Sequence, residues 1–294
     1  MHFIVLLWGF TSILGKLISL SSVEVVVWRT GLAVAAMWLL FGSRVRKATL
    51  PPGLAGKCIL MGSLITMHWF TFFLAARVGN VSSCLAGIAT GSVWTALLEP
   101  AFERRRVNRA DLLTAVVVLL GLLVIFYEQA DAAVGVGIGI FSASFASVFS
   151  ILNRHFVRQS DTYSVSVFGL TGAFLFSLLL LPAGLLLGIT PTLLPDLPVG
   201  YDWLWLFLLS GVCTVFAYTV SIELLKRFSA FAATLAVNME PVYGIILAWL
   251  IFKQAEAMST GFYVGTALIL LAVVGHSILS GRIAPGKQLA ESSS

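Results

Sequence analysis

The chain of 294 residues is 59% hydrophobic and 11% charged, with a mean hydropathy of +0.99 and a formal net charge of +5. A soluble globular chain carries about 25% charged residues, so the deficit points to a surface that faces lipid. The basic residues are spread over separate loops, which excludes a nucleic-acid-binding face, and the lone cysteines Cys58, Cys84 and Cys213 exclude a disulfide framework or a zinc site.

Ten apolar segments follow one another: 2–20, 23–43, 54–76, 80–102, 110–127, 134–153, 162–188, 202–225, 229–252 and 259–280. Each is close to the ~20 residues that cross a bilayer as a helix. The first lacks a basic leader and a small-residue cleavage site, and another segment follows at once, so it reads as a membrane helix and not a signal peptide. It carries Trp8 and, near its far end, Lys16, which is expected at a cavity mouth. Arg29 lies well inside the second segment, and Glu24 is a poorly spaced partner for it on one helix face. It either snorkels outward or pairs structurally.

His68 sits in the middle of the third segment with Thr71 and Phe72 on its face, and Trp94 in the fourth is expected to look into the same space. A histidine there can titrate or simply hydrogen-bond a neighbouring helix. The fourth segment also holds Leu98-Glu99-Pro100, which Glu103 and three arginines surround, so Glu99 is expected at an interface. The sixth segment is rich in small residues, among them Gly135, Gly139, Ser142, Ala143 and Ser147, which permit close helix approach. The eighth carries Tyr218 and Glu223, the latter four residues before Arg227, a spacing that suits an intrahelical ion pair. The ninth contains Asn238-Met239-Glu240-Pro241-Val242-Tyr243. Glu240 is expected near the middle of this run, where a carboxylate must be paired, wetted or protonated. Pro241 removes a backbone donor and predicts a bend. His276 near the end of the last segment is expected to be structural.

Arginine and lysine cluster after the even segments: Arg44, Arg46, Lys47 and Lys57; Arg104, Arg105, Arg106 and Arg109; Arg154 and Arg158; Lys226 and Arg227; then Arg282 and Lys287 in the tail. The opposite loops carry Glu128, Asp131, Asp196, Asp202 and Glu256. The positive-inside rule therefore puts both termini in the cytoplasm. The loop 189–201, with Pro191, Pro195 and Pro198, is the longest external one.

The two halves echo each other. Ser12-Ile13-Leu14-Gly15-Lys16 matches Ser150-Ile151-Leu152-Asn153-Arg154 at an offset of 138, while Thr30-Gly31 matches Thr171-Gly172 and Glu99-Pro100 matches Glu240-Pro241 at 141. Five helices per half is an odd number, so the second half enters the membrane upside down. The expected fold class is an all-α membrane protein, ten transmembrane helices in two inverted five-helix repeats, 2–127 and 134–280, followed by a cytoplasmic tail 281–294.

Trp8-Gly9, Gly15-Lys16, Arg29, Asn80-Val81-Ser82-Ser83, Leu98-Glu99-Pro100 and above all Glu240-Pro241-Val242-Tyr243 make the chain resemble the EamA-type branch of the drug/metabolite transporter superfamily over about residues 2–280. The resemblance implies ten helices in two inverted halves and a central cavity lined mainly by helices one, three, four, six, eight and nine. Relatives export amino acids and other metabolites, and one subgroup resembles aromatic amino acid exporters. Where many relatives continue with apolar residues after the first Glu-Pro pair, this chain has Arg104-Arg105-Arg106, which leaves the equivalence of Glu99 and Glu240 open.

The expected function is an inner-membrane transporter, an exporter, of a small organic metabolite, amino-acid-like or aromatic, by alternating access. A broad drug exporter is the alternative within transport, and a non-transporting scaffold is the alternative outside it. No P-loop, metal-ligand spacing or nucleophile elbow points to an enzyme or a cofactor. Cavity candidates are Trp8, His68, Phe72, Trp94, Tyr218, Asn238 and Tyr243. Charged candidates for coupling or structure are Glu240, Lys16, Arg29 and Glu223. The expected partners are a small-molecule substrate, the lipid bilayer and, if transport is coupled, protons; downhill transport is the other option. Cysteine labelling from outside sealed cells should reach positions near Asp196 and fail at Arg105 and Lys287. Labelling of either basic position from outside contradicts the orientation.

Overall fold

The computed structural model describes residues 1–128, 133–237, 239–253 and 259–283. Among these the chain is helical, with no strand. In order the elements are α1 (His2–Leu17), α2 (Ser22–Lys47), α3 (Leu54–Val78), α4 (Val81–Ile88), α5 (Gly91–Phe102), α6 (Arg109–Glu128), α7 (Ala133–Val157) and α8 (Thr162–Leu186). Then come α9 (Asp202–Phe207), a π-helical stretch Leu208–Phe216, α10 (Ala217–Leu224), α11 (Ala230–Val237), α12 (Glu240–Phe252) and α13 (Thr260–Ile283). Six stretches among the described residues are long and apolar enough to cross a membrane: Ser22–Lys47, Leu54–Val78, Val81–Phe102, Ala133–Val157, Thr162–Leu186 and Asp202–Leu224. Shorter apolar helices, among them α1 and α12, pack beside them. Leucines such as Leu39, Leu113, Leu123, Leu186 and Leu271 stand exposed along the outside, where water would penalise them and lipid does not.

Local chemistry sets the helix starts. Ser21 and Glu24 form a reciprocal capping box at α2, and Asn80 and Ser83 form another at α4, so the Asn80-Val81-Ser82-Ser83 motif begins a helix. Asp161 accepts from the N–H groups of Tyr163 and Ser164 at α8.

The expected segments are interrupted in three places. The fourth breaks at Ala89–Thr90 between α4 and α5. The eighth passes through the π-helical stretch. The ninth is split before Glu240, which therefore occupies the first turn of α12 rather than the middle of a helix, with Pro241 beside it at a position where no intrahelical donor is lost. Asn238 lies outside the described residues, as do Asp131, Glu256, Lys287 and the tail from 284 onward.

Helix α3 packs on α7 and α8, α2 on α8, α4 on α7, α1 on α12, and α6 on α13. Glycines allow the tightest of these approaches. A Cβ on Gly172 of α8 would fall 2.0 Å from the Ile59 carbonyl oxygen of α3, and one on Gly62 would fall 2.3 Å from the backbone of Gly172. The small face of α7 is used the same way: a Cβ on Gly139 would come within 2.7 Å of the Cys84 carbonyl oxygen. Gly172→Ala should therefore lower folded yield and shift the melting temperature in detergent down by several degrees, whereas Gly56→Ala, with nothing within 4 Å of the new methyl, should not. Equal stability of the two variants contradicts the backbone contact between α3 and α8.

Candidate functional site

A cavity of about 120 Å³ lies among the helices. From α1 it receives Trp8 and Thr11, from α2 Arg29, and from α3 His68, Trp69 and Phe72. Ile88 and Gly91 reach it from either side of the α4–α5 break, and Val237 and Glu240 from either side of the α11–α12 break. Phe149 and Asn153 of α7, Cys213 of the π-helical stretch and Tyr218 of α10 complete the wall on the other side.

Arg29 is the largest of the almost completely buried side chains, 2% exposed. Its Nε donates to Thr214 Oγ1 at 2.8 Å, and Thr214 in turn donates to the Leu209 carbonyl at 2.8 Å, a reach of five residues that matches the π-helical turn. The guanidinium plane lies 3.9 Å from the Trp69 ring centroid, within cation–π range. The same turn frees the Cys213 carbonyl to accept from Trp8 Nε1 at 3.1 Å, and the Cys213 thiol donates to the Leu7 carbonyl. Arg29 thus neither snorkels nor pairs with Glu24. Glu24 instead caps α2 and accepts from the Asp196 N–H at 2.9 Å, which pins the loop 189–201.

His68 Nδ1 lies 3.1 Å from the Ser142 carbonyl and 2.9 Å from Ser142 Oγ, and that hydroxyl donates to the His68 carbonyl at 2.8 Å. A carbonyl only accepts, so Nδ1 carries the proton and Nε2 is the acceptor of the neutral ring. Rings of Phe72 and Phe149 flank it at 5.9 and 5.5 Å. On the side of the cavity toward the basic loops, Asn153 Nδ2 donates to Tyr218 Oη at 3.1 Å.

The structure brings Trp8, His68, Phe72, Tyr218, Arg29 and Glu240 to one cavity. Three residues expected near it lie elsewhere. Trp94 packs half-buried against the apolar core. Tyr243 reaches toward His2, and its Cβ closes on Gly9 where α1 and α12 touch. Lys16 stands 4.8 Å over the Phe252 ring. Glu223 is also outside the cavity and pairs with Lys226 at 2.7 Å and with Thr162, not with Arg227. The turn after Leu224 unwinds, so the i+4 geometry is lost. Trp69, Thr11, Phe149, Asn153, Cys213 and Thr214 were not singled out. Asn153, a polar residue at the end of an apolar run, carried a readable signal; the others had none.

Glu99 has a different role from Glu240. It is completely buried and accepts from the N–H groups of Ala230 and Phe231 at 2.8 and 3.0 Å, so it caps the start of α11. Arg154 and Arg105 approach it at 3.2 and 3.5 Å, and both also hold Glu103. Burial works to raise the Glu103 carboxyl, but hydrogen bonds from Arg105 and Arg154 and their charge outweigh it and hold it below its ordinary value. This pairing contributes to stability at neutral pH and is lost in acid, as pH falls below the ~4.3 of a free glutamate. His276 pairs with Asp111 at 2.7 Å, both buried, joining α13 to α6.

An all-helical bundle with apolar spans around a cavity lined by a buried arginine and a buried glutamate is a membrane protein whose ionisable groups mark a candidate functional site. The chain belongs to the EamA-like transporter family: the family profile matches residues 2–127 and again residues 133–278. A solved structure titled only "Crystal structure of protein" superposes with a TM-score of 0.67 at 19% identity, covering 96% of this chain and 97% of that one, which supports the fold. No curated protein matches the chain.

Removing the Arg29–Thr214 hydrogen bond should be measurable. Thr214→Val should lower stability by about 1.5–3 kcal/mol, the range for a bond to a charged group, and by much less in an Arg29→Lys background. Strictly additive effects in that double-mutant cycle of thermal stability contradict a direct bond between the two side chains.

Proposed function

We propose that the protein is an inner-membrane transporter that exports a small organic metabolite by alternating access, with ten crossings in two inverted five-helix repeats and both termini in the cytoplasm. In this reading α4 with α5, α9 through α10, and α11 with α12 each make one interrupted crossing. The cavity carries the reading: it holds buried charge, and both halves of the chain build it at their broken helices. Discontinuous helices at a repeat interface are where transporters of this architecture hold their substrates.

The helix packing supports the repeat. Exchanging the halves turns the α5–α7 contact into α12–α1, turns α3–α8 into the contact of α2 with the π-helical stretch, and leaves α2–α8 and α6–α13 unchanged. A pseudo-two-fold axis in the membrane plane relates packing partners in this way. The basic loops then share the cytoplasmic end with the Glu99 cluster, and Glu24 and Asp202 share the outer end.

Thermal-shift screening of the purified protein against small organic metabolites, followed by counterflow of the hits in liposomes, tests transport. Exchange should run at least tenfold above that of empty liposomes. Ala233→Trp, which places an indole in a cavity of about 120 Å³, should abolish it while the protein still folds. Hits that bind without exchanging contradict the transport reading.

A further inference from the structure

The cavity wall is short of hydrogen-bond acceptors. Of the five N–H donors of Arg29, Nε is held by Thr214, while Nη1 has no hydrogen-bond partner. No oxygen of Glu240 is among the buried polar atoms without a partner, and among the described residues no ion pair joins Glu240 to Arg29, although each lies within electrostatic reach of the other. A buried cation with unused donors is strongly destabilised unless an anion meets it. The unmet demand is therefore for an oxyanion.

We propose that the cavity binds an organic monoanion, with its carboxylate on the Arg29 guanidinium and its planar apolar body among Trp8, Phe72 and Phe149, and that each anion enters with one proton, which goes to the Glu240 carboxylate. This rests on the transport reading and names its substrate class. With Glu240 ionised and no ligand, guanidinium and carboxylate cancel across the cavity. A bound carboxylate takes over Arg29 and leaves Glu240 uncompensated beside an apolar wall. A proton from solution on one Oε atom restores neutrality, and no other bond is made or broken. The loaded cavity carries no net charge, which removes most of the penalty for moving it through the bilayer. The space of about 120 Å³ is close to the ~150 Å³ of an apolar cavity that takes up benzene.

Among the described residues the titratable groups around Glu240 are few. From α2 comes Arg29, from α3 His68, from the π-helical stretch Cys213, and from α10 Tyr218. On α1, Lys16 lies over Phe252 and His2 lies at Tyr243. Arg29 acts electrostatically on Glu240, and Glu240 in turn acts on the Cys213 thiol. His68 is turned through Nδ1 to Ser142 and has a hydrogen-bond partner already.

Calorimetric titration of the full chain in detergent, in two buffers of different ionisation enthalpy from about pH 6 to 9.5, counts the protons. The probes are phenylacetate, its uncharged analogue phenylacetamide, and the zwitterion phenylalanine. Phenylacetate should bind with proton uptake that rises to about one per anion at the alkaline end, where its affinity should fall about tenfold per pH unit. Phenylacetamide should bind at least tenfold more weakly. Glu240→Gln should bind phenylacetate with no proton uptake and a flat pH profile; if that variant does not fold, the proton count on the natural protein decides. The proposal is overturned if phenylacetate binds without proton uptake, if the amide binds equally well, if phenylalanine is preferred with no proton taken up, or if none of the three binds at millimolar concentration. Counterflow of screened solutes is independent of all these outcomes, so loss of the anion site and loss of the transport reading are distinguishable.

Discussion

Inside a bilayer every backbone N–H and C=O must find a partner within the protein, and the rest of the molecule is arranged around that constraint. Irregular backbone is tolerated at membrane depth only where it faces a cavity or other protein. The three interruptions in this chain obey the rule. Ile88 and Gly91 flank one, Cys213 lies in the second, Val237 and Glu240 flank the third, and all five residues line the same space. Backbone carbonyls at these places take side-chain donors: that of Cys213 accepts from the Trp8 indole, and that of Gly91 accepts from the Ser147 hydroxyl.

Arg29 converts this geometry into a charged site. Its guanidinium is planar, so it can stack on Trp69 and donate in plane to Thr214 at once. Lysine could do neither in the same way. Thr214 is available because the π-helical turn directs its hydroxyl to Leu209, five residues back. One side chain therefore ties α2 to α3 and to the eighth crossing, and it does so beside the carboxylate of Glu240.

The two ends of the bundle are held by different chemistry. At the basic end Glu99 and Glu103 gather Arg105, Arg154 and the first N–H groups of α11. At the other end Asp202 accepts from Ser19 N–H and hydroxyl, Glu24 holds Asp196, and Arg77 donates to the last carbonyls of α1, at Gly15 and Ile18. The contacts of Glu99 with Arg154 and the start of α11, of Ser19 with Asp202 and of Glu24 with Asp196 cross between the halves of the chain, and they are hydrogen bonds and ion pairs rather than interlocked apolar side chains.

The sequence by itself determined the class of structure. Apolar segments of bilayer length leave the helix as the only spanning element, and Asn80-Val81-Ser82-Ser83 and Ser21 with Glu24 mark helix starts by local hydrogen bonding alone. It also singled out Arg29, His68 and Glu240, because ionisable groups in apolar runs are rare for an energetic reason. What only the tertiary structure decided was which groups meet. Trp94, expected to share the space around His68, packs instead against the apolar core. Spacing paired Glu223 with Arg227, but the unwound turn gives it Lys226. Nothing local announces a π-helical turn at Leu208–Phe216, and without it Thr214 has no reason to meet an arginine 185 positions earlier. Periodicity assumes unbroken helices, and the site is built where they break.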